Sequence, residues 1–266
     1  MKSDGTGKSL ALNCLQMECN SPVWVPHANK IVYEHMSVSQ DAAVPRFSLW
    51  WLDLGTGQTV PVFQDQGFAS SAAGFSPDGA RLSYISFANN TLQIYSLGNG
   101  QGVSIPLGNQ SVIPAIWSPS GDSLLFGDQE NSNNGVLHLR RYMISSGQTI
   151  ALDDANDQTD YSAAWSPDSS WIAVDRDVSI TDGSKRSNQV WLVKPDGTQA
   201  HALLNEAGAS YSDLRWSPDG KTLIYSRYSY SNADQNVGRF DIYMLDIFTG
   251  QTTLLAPGGD LPSLLP

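Results

Sequence analysis

The sequence predicts an all-β protein made of similar four-stranded antiparallel sheets, and three observations support this class. A short turn motif, clearest as Trp-Ser-Pro-Asp-Gly at residues 216–220, recurs along the chain. Apolar residues follow each copy at every second position, which is the period of a strand with one buried face. Helical periodicity is absent throughout. Together these observations indicate a repeat protein whose unit is a set of strands.

Five aromatic residues, here called the landmarks, mark the copies of this turn: Trp24, Phe75, Trp117, Trp165 and Trp216. They are 51, 42, 48 and 51 residues apart, and a proline follows each of them two positions later. Proline fixes φ near −65°, aspartate accepts local amide hydrogen bonds and glycine adopts positive φ, so Ser-Pro-Asp-Gly predicts a tight turn. Ser169 and Ala28 replace the glycine in two copies, and we expect slight strain at both.

A second motif lies between the landmarks and predicts a hairpin. Its clearest copies are residues 47–58, 92–101 and 241–251, each with a strand, a glycine-containing turn and a short strand. One repeat therefore contains four antiparallel strands, which is the pattern of a β-propeller blade. We expect residues 1–266 to form a single propeller domain.

The two ends of the chain decide the predicted number of blades. Residues 1–12 match the end of a third strand and the fourth strand of a repeat, and Leu264 stands 48 residues after Trp216, where the next landmark would be. We therefore expect six blades, with one incomplete blade split between the N- and C-termini. The alternative is five blades plus terminal extensions. A thin sixth blade would leave sheet edges unpaired, which favours a dimer through that blade.

The repeat resembles those of the TolB-like, or WD-like, β-propeller family. The resemblance is carried by the turn at 216–220, the Leu-x-Tyr strand at 223–225 and Tyr-Met-Leu-Asp-Ile-Phe-Thr-Gly-Gln at 243–251, and it covers essentially the whole chain. That family includes the periplasmic TolB protein, which binds partner proteins, and propellers attached to peptidases, kinases and carbohydrate-active enzymes. The resemblance therefore implies the architecture but says little about activity. The α/β domain that precedes the TolB propeller has no counterpart here.

Charge and composition exclude several classes of partner. Lys and Arg number 15 against 26 Asp and Glu, and the net charge of −11 repels nucleic acid. No apolar run approaches the roughly 18 residues that cross a bilayer, so we expect no membrane insertion. The low charged fraction of 15% favours a periplasmic or extracellular protein. Residues 1–7 lack the apolar core of a signal peptide, so an export signal would lie upstream.

Motifs for catalysis, cofactors and metals are weak in this sequence. The four histidines fall at unrelated repeat positions, no Gly-x-Ser-x-Gly elbow occurs, and Gly-Thr-Gly-Lys-Ser at 5–9 lacks the earlier glycine of a phosphate loop. We expect no catalytic residue, no cofactor and no metal site. The aspartates at 153–160 and 175–182 are predicted to be solvated loop carboxylates. Cys14 and Cys19 either close a small disulfide loop in an oxidising compartment or remain two buried thiols.

The variable loops predict the binding face. The connections between the second and third strands of each repeat lie opposite the Ser-Pro-Asp-Gly turns, and four of the five are long. Variable loops on a rigid scaffold often carry binding sites. Basic and aromatic residues of the fourth and fifth loops form the candidate ligand-binding set: Arg176, Lys185, Arg186, Arg227, Tyr228, Tyr230 and Arg239. This set favours an acidic peptide, a carboxylate or a sugar, and the alternative is that these loops are merely solvated.

Three functions are compatible with this sequence. The favoured one is a non-catalytic scaffold that binds a protein or peptide in an exported or envelope setting. The second is a carbohydrate-binding or carbohydrate-active propeller, and the third is a propeller domain detached from a hydrolase or another multidomain protein. An apolar patch on the long-loop face would favour a protein partner, whereas aromatics and carboxylates clustered around the central channel would favour a sugar.

Overall fold

The described part of the chain contains only β-structure. The computed structural model describes residues 9–14, 18–37, 46–63, 70–108, 115–129, 136–152, 158–177, 188–206, 208–230 and 238–259. These residues form twenty strands in five four-stranded antiparallel sheets, which we call sheets A to E, and no helix. A helix that could cross a membrane is accordingly not found within these ranges. The all-β prediction of four-stranded repeats is confirmed.

In every sheet, strands that follow one another in sequence lie side by side. Sheet A contains β1 (Glu18–Trp24), β2 (Lys30–Ser37), β3 (Arg46–Asp53) and β4 (Thr59–Pro61). Sheet B contains β5 (Ser70–Phe75), β6 (Arg81–Ser86), β7 (Thr91–Ser96) and β8 (Gly102–Pro106). Sheet C contains β9 (Ile116–Trp117), β10 (Ser123–Gln129), β11 (Leu137–Met143) and β12 (Thr149–Ala151). Sheet D contains β13 (Thr159–Trp165), β14 (Ile172–Asp177), β15 (Asn188–Val193) and β16 (His201–Leu204). Sheet E contains β17 (Ala209–Trp216), β18 (Thr222–Tyr230), β19 (Gly238–Asp246) and β20 (Thr252–Pro257).

The chain divides into two compact units, Met1–Pro106 with sheets A and B, and Leu107–Pro266 with sheets C, D and E. In the first unit, Val32 and Leu49 of sheet A pack against Phe75 of sheet B. In the second unit, one apolar cluster joins sheet C to sheet D and another joins sheet D to sheet E. Sheets that follow one another within a unit thus share a core. That all 266 residues form one domain stays a prediction.

The turn motif holds its loop with a hydroxyl as well as with the predicted aspartate. Ser217 Oγ donates to Asp219 Oδ1 at 2.6 Å and accepts from the Thr222 backbone N at 3.0 Å. Asp219 Oδ1 also accepts from the Lys221 backbone N at 3.1 Å. The Ser217 hydroxyl and then the Lys221 amide hold the pKa of Asp219 below its usual value. The aspartate is therefore part of the fold, and its serine partner is a finding of the structure.

Two copies lack glycine at the fourth turn position after the landmark, and only one shows the expected strain. Ser169 has φ +59°, which is the left-handed conformation that Gly220 adopts at +67°. In the first copy, however, His27 takes positive φ at +59° and Ala28 does not, so the expectation for Ala28 is wrong. Val25 stands in place of the serine, and His27 stands in place of the aspartate. The hydrogen bonds between serine and aspartate that hold the other turns cannot form here, so the backbone follows a different path.

The number of blades stays a prediction. The split sixth blade depends on residues 1–8 and 260–266, which lie outside the described residues. Residues 9–12, which the repeat assigns to a fourth strand, are described and are not in a strand. Nearby, Cys14 and Cys19 form a disulfide with their Cα atoms 6.2 Å apart, which is the first of the two alternatives that the sequence left open.

Candidate binding groove

The long connections between second and third strands occur at the predicted places. In sheet D, β14 ends at Asp177 and β15 begins at Asn188, and in sheet E, β18 ends at Tyr230 and β19 begins at Gly238. The residues between these strands lie outside the described ranges, and so do the candidate residues Lys185 and Arg186. Five of the seven candidate residues are therefore placed by the structure.

Arg176 was predicted on a loop, and this placement is wrong. It lies within β14 and is only 2% exposed. A charged guanidinium can be buried in this way only if a neighbouring carboxylate neutralises it. Its Nε and Nη2 donate to Asp160 Oδ1 and Oδ2 at 2.7 and 3.0 Å, and the group stacks 5.3 Å from the Trp191 ring centroid. Such a buried bidentate pair holds a structural contact and does not offer a charge to a ligand.

Arg227 and Arg239 also lie on strands, in β18 and β19, and each has a carboxylate partner. Arg227 Nη2 donates to Glu206 Oε2 at 2.6 Å, and Arg239 Nη2 donates to Asp241 Oδ2 at 2.9 Å. Their charges are thereby compensated locally. The two arginines do not form the uncompensated basic patch that would attract an acidic ligand.

The sheet separates the basic candidates from the aromatic ones. Tyr228 pairs with Phe240 across the strands, whereas Arg227 pairs with Asp241. Because successive side chains of a strand point to opposite faces, Tyr228 and Phe240 share one face and the Arg227 pair lies on the other. The sequence correctly grouped these residues at one end of the sheet but could not separate its two faces.

The aromatic face forms an open groove of about 470 Å³, which we call the aromatic groove. The Tyr228 ring centroid lies 4.9 Å from that of Tyr230 and 4.7 Å from that of Phe240, which is 40% exposed. The Ser210 and Tyr230 hydroxyls are 2.9 Å apart. Among the described residues, the lining holds no charged side chain: Ser210, Tyr211, Ser212, Tyr228, Tyr230 and Phe240. The groove thus presents ring surfaces together with hydroxyl groups.

Sequence reasoning missed Phe240 and the serines of β17. Part of the position of Phe240 follows from the sequence, because Tyr228 and Tyr230 are two residues apart and so share a face of β18. Phe240 lies opposite Tyr228 on β19 and therefore joins the two tyrosines on that face. The serines carry no comparable signal. Their position follows from the pairing of β17 with β18, in which Ser210 lies opposite Tyr228.

A polar cluster joins sheet D to sheet E beside the groove. Asn188 donates from its amide to Asp175 Oδ1 and to the Tyr211 carbonyl oxygen, and its Oδ1 accepts from the Tyr211 N at 2.6 Å. Burial raises the pKa of Asp175 well above its usual value, the bond from Asn188 opposes this, and the charges of Asp160, Asp177 and Asp213 add to the rise.

The predicted solvation of the aspartates in this region is wrong for three of them. Asp160, Asp175 and Asp177 are all buried, because β13 and β14 continue through these positions. The remaining aspartates of the two predicted clusters lie outside the described residues. Within the described ranges, no group of three or more His, Cys, Asp or Glu side chains could hold a metal ion. We interpret the cluster as a structural contact between the two sheets.

Two curated proteins share part of this sequence, while no family model matches it. An uncharacterised peptidase of Bacillus subtilis is 24% identical over 231 residues, which are 84% of this chain and 31% of that protein. An uncharacterised protein of Agrobacterium fabrum is 26% identical over 179 residues, which are 65% of this chain and 59% of that protein. The chain spans only part of both relatives, so what they do as whole proteins is not carried over to it.

Solved structures identify the architecture. A putative TolB from Agrobacterium tumefaciens matches 92% of this chain and 84% of its own with a TM-score of 0.63 at 19% identity. The TolB from Acinetobacter baumannii matches 97% of this chain and 59% of its own with a TM-score of 0.60 at 20% identity. The chain has the TolB-like β-propeller fold. The same propeller fold is shared with an oligogalacturonate lyase in complex with manganese, which covers 85% of this chain and 62% of its own at a TM-score of 0.64 and 19% identity.

Proposed function

We propose that this propeller is a non-catalytic scaffold that binds a protein or peptide partner in the aromatic groove. The aromatic cluster of half-buried Tyr228 and Tyr230 with exposed Phe240, at the loop end of sheet E, carries this proposal. Aromatic side chains are enriched at binding hot spots because they supply a large, rigid contact area. An exposed apolar patch beside variable loops is the feature that favours a protein partner over a small polar ligand.

The charges around the groove support a peptide with neutral, apolar side chains. Arg227 and Arg239 are already paired with Glu206 and Asp241, and the part of the lining that the structure describes has no charged residue. A peptide rich in acidic residues would also meet a protein of net charge −11. The preference for an acidic ligand, which the sequence suggested, is therefore replaced by a preference for an uncharged anchor.

An oxidising, exported setting fits the same proposal. The disulfide between Cys14 and Cys19 is of the kind that persists in the periplasm or outside the cell. The similarity of the fold to two TolB structures supports a partner-binding role in such a compartment. A dimer through an incomplete blade stays a prediction, and analytical ultracentrifugation would test it.

A peptide selection tests the proposed groove. A random phage-displayed peptide library is selected on the wild-type protein, and the affinity of each enriched peptide is measured by calorimetry with the wild type and with the Phe240→Ala and Tyr228→Ala variants. Loss of a hot-spot aromatic costs about 2 kcal/mol or more, so we expect at least about a thirtyfold loss of affinity.

The matched control is Phe248→Ala. Phe248 is 76% exposed in the turn between β19 and β20, at the opposite end of the same sheet. Peptides bound in the groove should keep their affinity for this variant. The proposal is wrong if no peptide is enriched on the wild type, or if enriched peptides bind the Phe240→Ala and Tyr228→Ala variants as tightly as the wild type.

A carbohydrate ligand is the second candidate. The similarity of the fold to an oligogalacturonate lyase and the tyrosine rings of the groove favour it, because ring faces with nearby hydroxyls also suit a sugar. Titration with galacturonate oligosaccharides distinguishes this candidate, since a peptide groove would leave them unbound.

A third candidate, a propeller detached from a hydrolase, is favoured by the match to the Bacillus subtilis peptidase. Peptidase assays on the full-length gene product would test it. We place it last because the rings and hydroxyls of the groove support binding of a ligand and do not by themselves support hydrolysis.

A further inference from the structure

A second pocket lies in sheet A, where β2 begins and β3 ends. It has a volume of about 310 Å³ and opens on the face of sheet A that packs against sheet B. Trp51 is central to this face, and its ring centroid lies 5.9 Å from that of Phe75 in sheet B. The lining combines apolar and polar side chains: Val25, Lys30, Trp51, Asp53, Gln58 and Val60. It shares no residue with the aromatic groove.

Sheet C has the same strand positions but fills them differently. Arg141 stands where sheet A has Trp51, as its pairing with Leu125 shows. The Arg141 side chain donates to Ser123 Oγ at 2.7 Å and to the Pro195 carbonyl oxygen at 3.2 Å, and it stacks on Trp165 of sheet D. The side chain itself thus occupies the region between the two sheets.

Sheet D closes the equivalent position by a different set of contacts. Trp171, Lys194 and His201 stand where sheet A has Lys30, Asp53 and Val60. The Lys194 Nζ lies 3.8 Å from the Trp171 ring centroid, and His201 meets the same ring edge-on at 5.7 Å. These three side chains pack on one another, whereas the residues of sheet A surround an open volume.

The loss of the turn motif coincides with this opening. Val25 replaces the serine that follows the other four landmarks, so it contributes an apolar wall instead of a hydroxyl. Val60, opposite Trp51 on β4, adds a second apolar wall and is 53% exposed. Val25 therefore departs from the repeat, whereas Asp53 and Gln58 belong to the second hairpin motif. Asp246 of sheet E accepts the same pair of backbone hydrogen bonds as Asp53, so the pocket combines motif residues with side chains particular to sheet A.

The polar groups of the pocket suit a neutral ligand with many hydroxyls. Lys30 Nζ and Asp53 Oδ2 lie 3.8 Å apart and balance each other's charge. The backbone amides of Thr56 and Gly55 donate to Asp53 and hold its pKa below the usual value, so it stays ionised and accepts hydrogen bonds. The Gln58 amide both donates and accepts.

We propose that this pocket binds one or two rings of a neutral saccharide, with a sugar face on Trp51 and hydroxyls on Lys30, Asp53 and Gln58. An aromatic platform beside a few polar groups is the usual composition of a small-ligand site, and about 310 Å³ lies at the lower end of the size range for such sites. This site is independent of the partner that occupies the aromatic groove.

Saturation-transfer NMR tests this inference with defined probes. The set contains glucose, galactose, N-acetylglucosamine, their β-1,4-linked disaccharides, and galacturonate as a charged probe. We expect transfer to the ring protons of at least one neutral sugar and none to galacturonate. Val60→Trp should abolish the signal by filling the pocket, and Gln58→Ala should weaken binding about fivefold, the value of one hydrogen bond.

Two controls separate this site from the rest of the molecule. His201→Ala changes the position in sheet D that corresponds to Val60, and Phe240→Ala alters the aromatic groove. Both variants should bind the sugar as the wild type does. The inference is overturned if no neutral sugar gives transfer, if only galacturonate does, or if the signal persists in a folded Val60→Trp protein, as judged by circular dichroism.

Discussion

The contact between sheets A and B and the contact between sheets D and E use the same repeat positions with different chemistry. Ten residues after the landmark, sheet A has Glu34 and sheet D has Asp175. Glu34 Oε1 accepts a 2.8 Å hydrogen bond from the backbone N of Ala72 in sheet B. Burial raises the pKa of Asp175, and the charge of Asp213, which occupies the position of Ala72 in sheet E, is a smaller contribution to the same rise.

This difference shows that the repeat determines where a side chain lies but not what it bonds. Glu34 is one methylene longer and reaches the amide of the next sheet directly. Asp175 instead receives a hydrogen bond from Asn188, and it is Asn188 that bonds to the backbone of Tyr211 in sheet E. The contact between sheets A and B is therefore made by the carboxylate of Glu34 itself. The contact between sheets D and E is made by Asn188, which is hydrogen-bonded to the buried Asp175.

The landmark tryptophans give the largest expected difference between the two regions. Trp216 is 9% exposed, and its Nε1 donates to the Ala164 carbonyl oxygen of sheet D at 3.0 Å, whereas Trp24 of sheet A is 66% exposed. We expect Trp216→Ala to lower the free energy of unfolding by about 3–5 kcal/mol and Trp24→Ala to lower it by less than about 0.5 kcal/mol. Urea denaturation followed by circular dichroism measures both, and equal losses would contradict the difference in burial.

The sequence predicted the strands of this fold well because their signal is local and repeated. The landmark, the proline two residues later and the period-two apolar register were enough to place Trp165 and Trp216 at the ends of their strands. The prediction was wrong for Arg176 and Asp175, which were assigned to loops because charged side chains near the end of a strand are usually solvated. Their burial depends on Asp160 and Asn188, partners that only the packed sheets bring near.

The candidate groove was predicted only in part. Tyr228 and Tyr230 were expected on the loop, whereas both lie in β18, at the end of the strand from which this connection leaves. The local compensation of Arg227 by Glu206 was not predictable, since Glu206 precedes β17 and no motif links the two residues. The sheet A pocket was missed altogether, because no motif links the residues of its lining and only the folded sheet brings them together.

The two acids should respond in opposite directions to loss of charge. Because the pKa of folded Asp175 is raised, the unfolded chain releases this proton first as the pH rises above about 4. Stability contributed by this group therefore falls from about pH 4 until the folded pKa is passed. At pH 7 we expect Asp175→Asn to raise the free energy of unfolding, and this gain should shrink as the pH falls towards about 4, where the unfolded chain also binds the proton.

Glu34→Gln is the matched change at the A–B contact. Glutamine can still accept from the Ala72 amide, but a neutral acceptor forms a weaker bond than a carboxylate, so we expect a loss of about 1 kcal/mol at pH 7. Chemical denaturation at pH 7 measures both variants, and a series from pH 3.5 to 8 follows Asp175→Asn. If both substitutions destabilise the protein at pH 7, the proposed difference between the two acids is wrong.

The smallest expected effect concerns the turns of sheets D and E, where Ser169 and Gly220 both adopt positive φ. Replacing Ser169 by glycine removes the strain of a side chain in the left-handed region but adds the entropy cost of a glycine in the unfolded chain. The strain is larger than this cost by about 0.5 kcal/mol, so the substitution should stabilise the protein. The reverse change, Gly220→Ser, isolates the same effect, because an added Cβ would meet only the Pro167 ring at an ordinary 3.6 Å. We expect the unfolding temperature to rise by about 1–2 °C for Ser169→Gly and to fall by about 1–2 °C for Gly220→Ser. Ser169 Oγ also contacts Ser120 in the turn of sheet C, accepting from its backbone N at 3.3 Å. A lower unfolding temperature for Ser169→Gly would therefore mean that this contact between sheets outweighs the backbone strain, and that the turn of sheet D helps to hold sheet C.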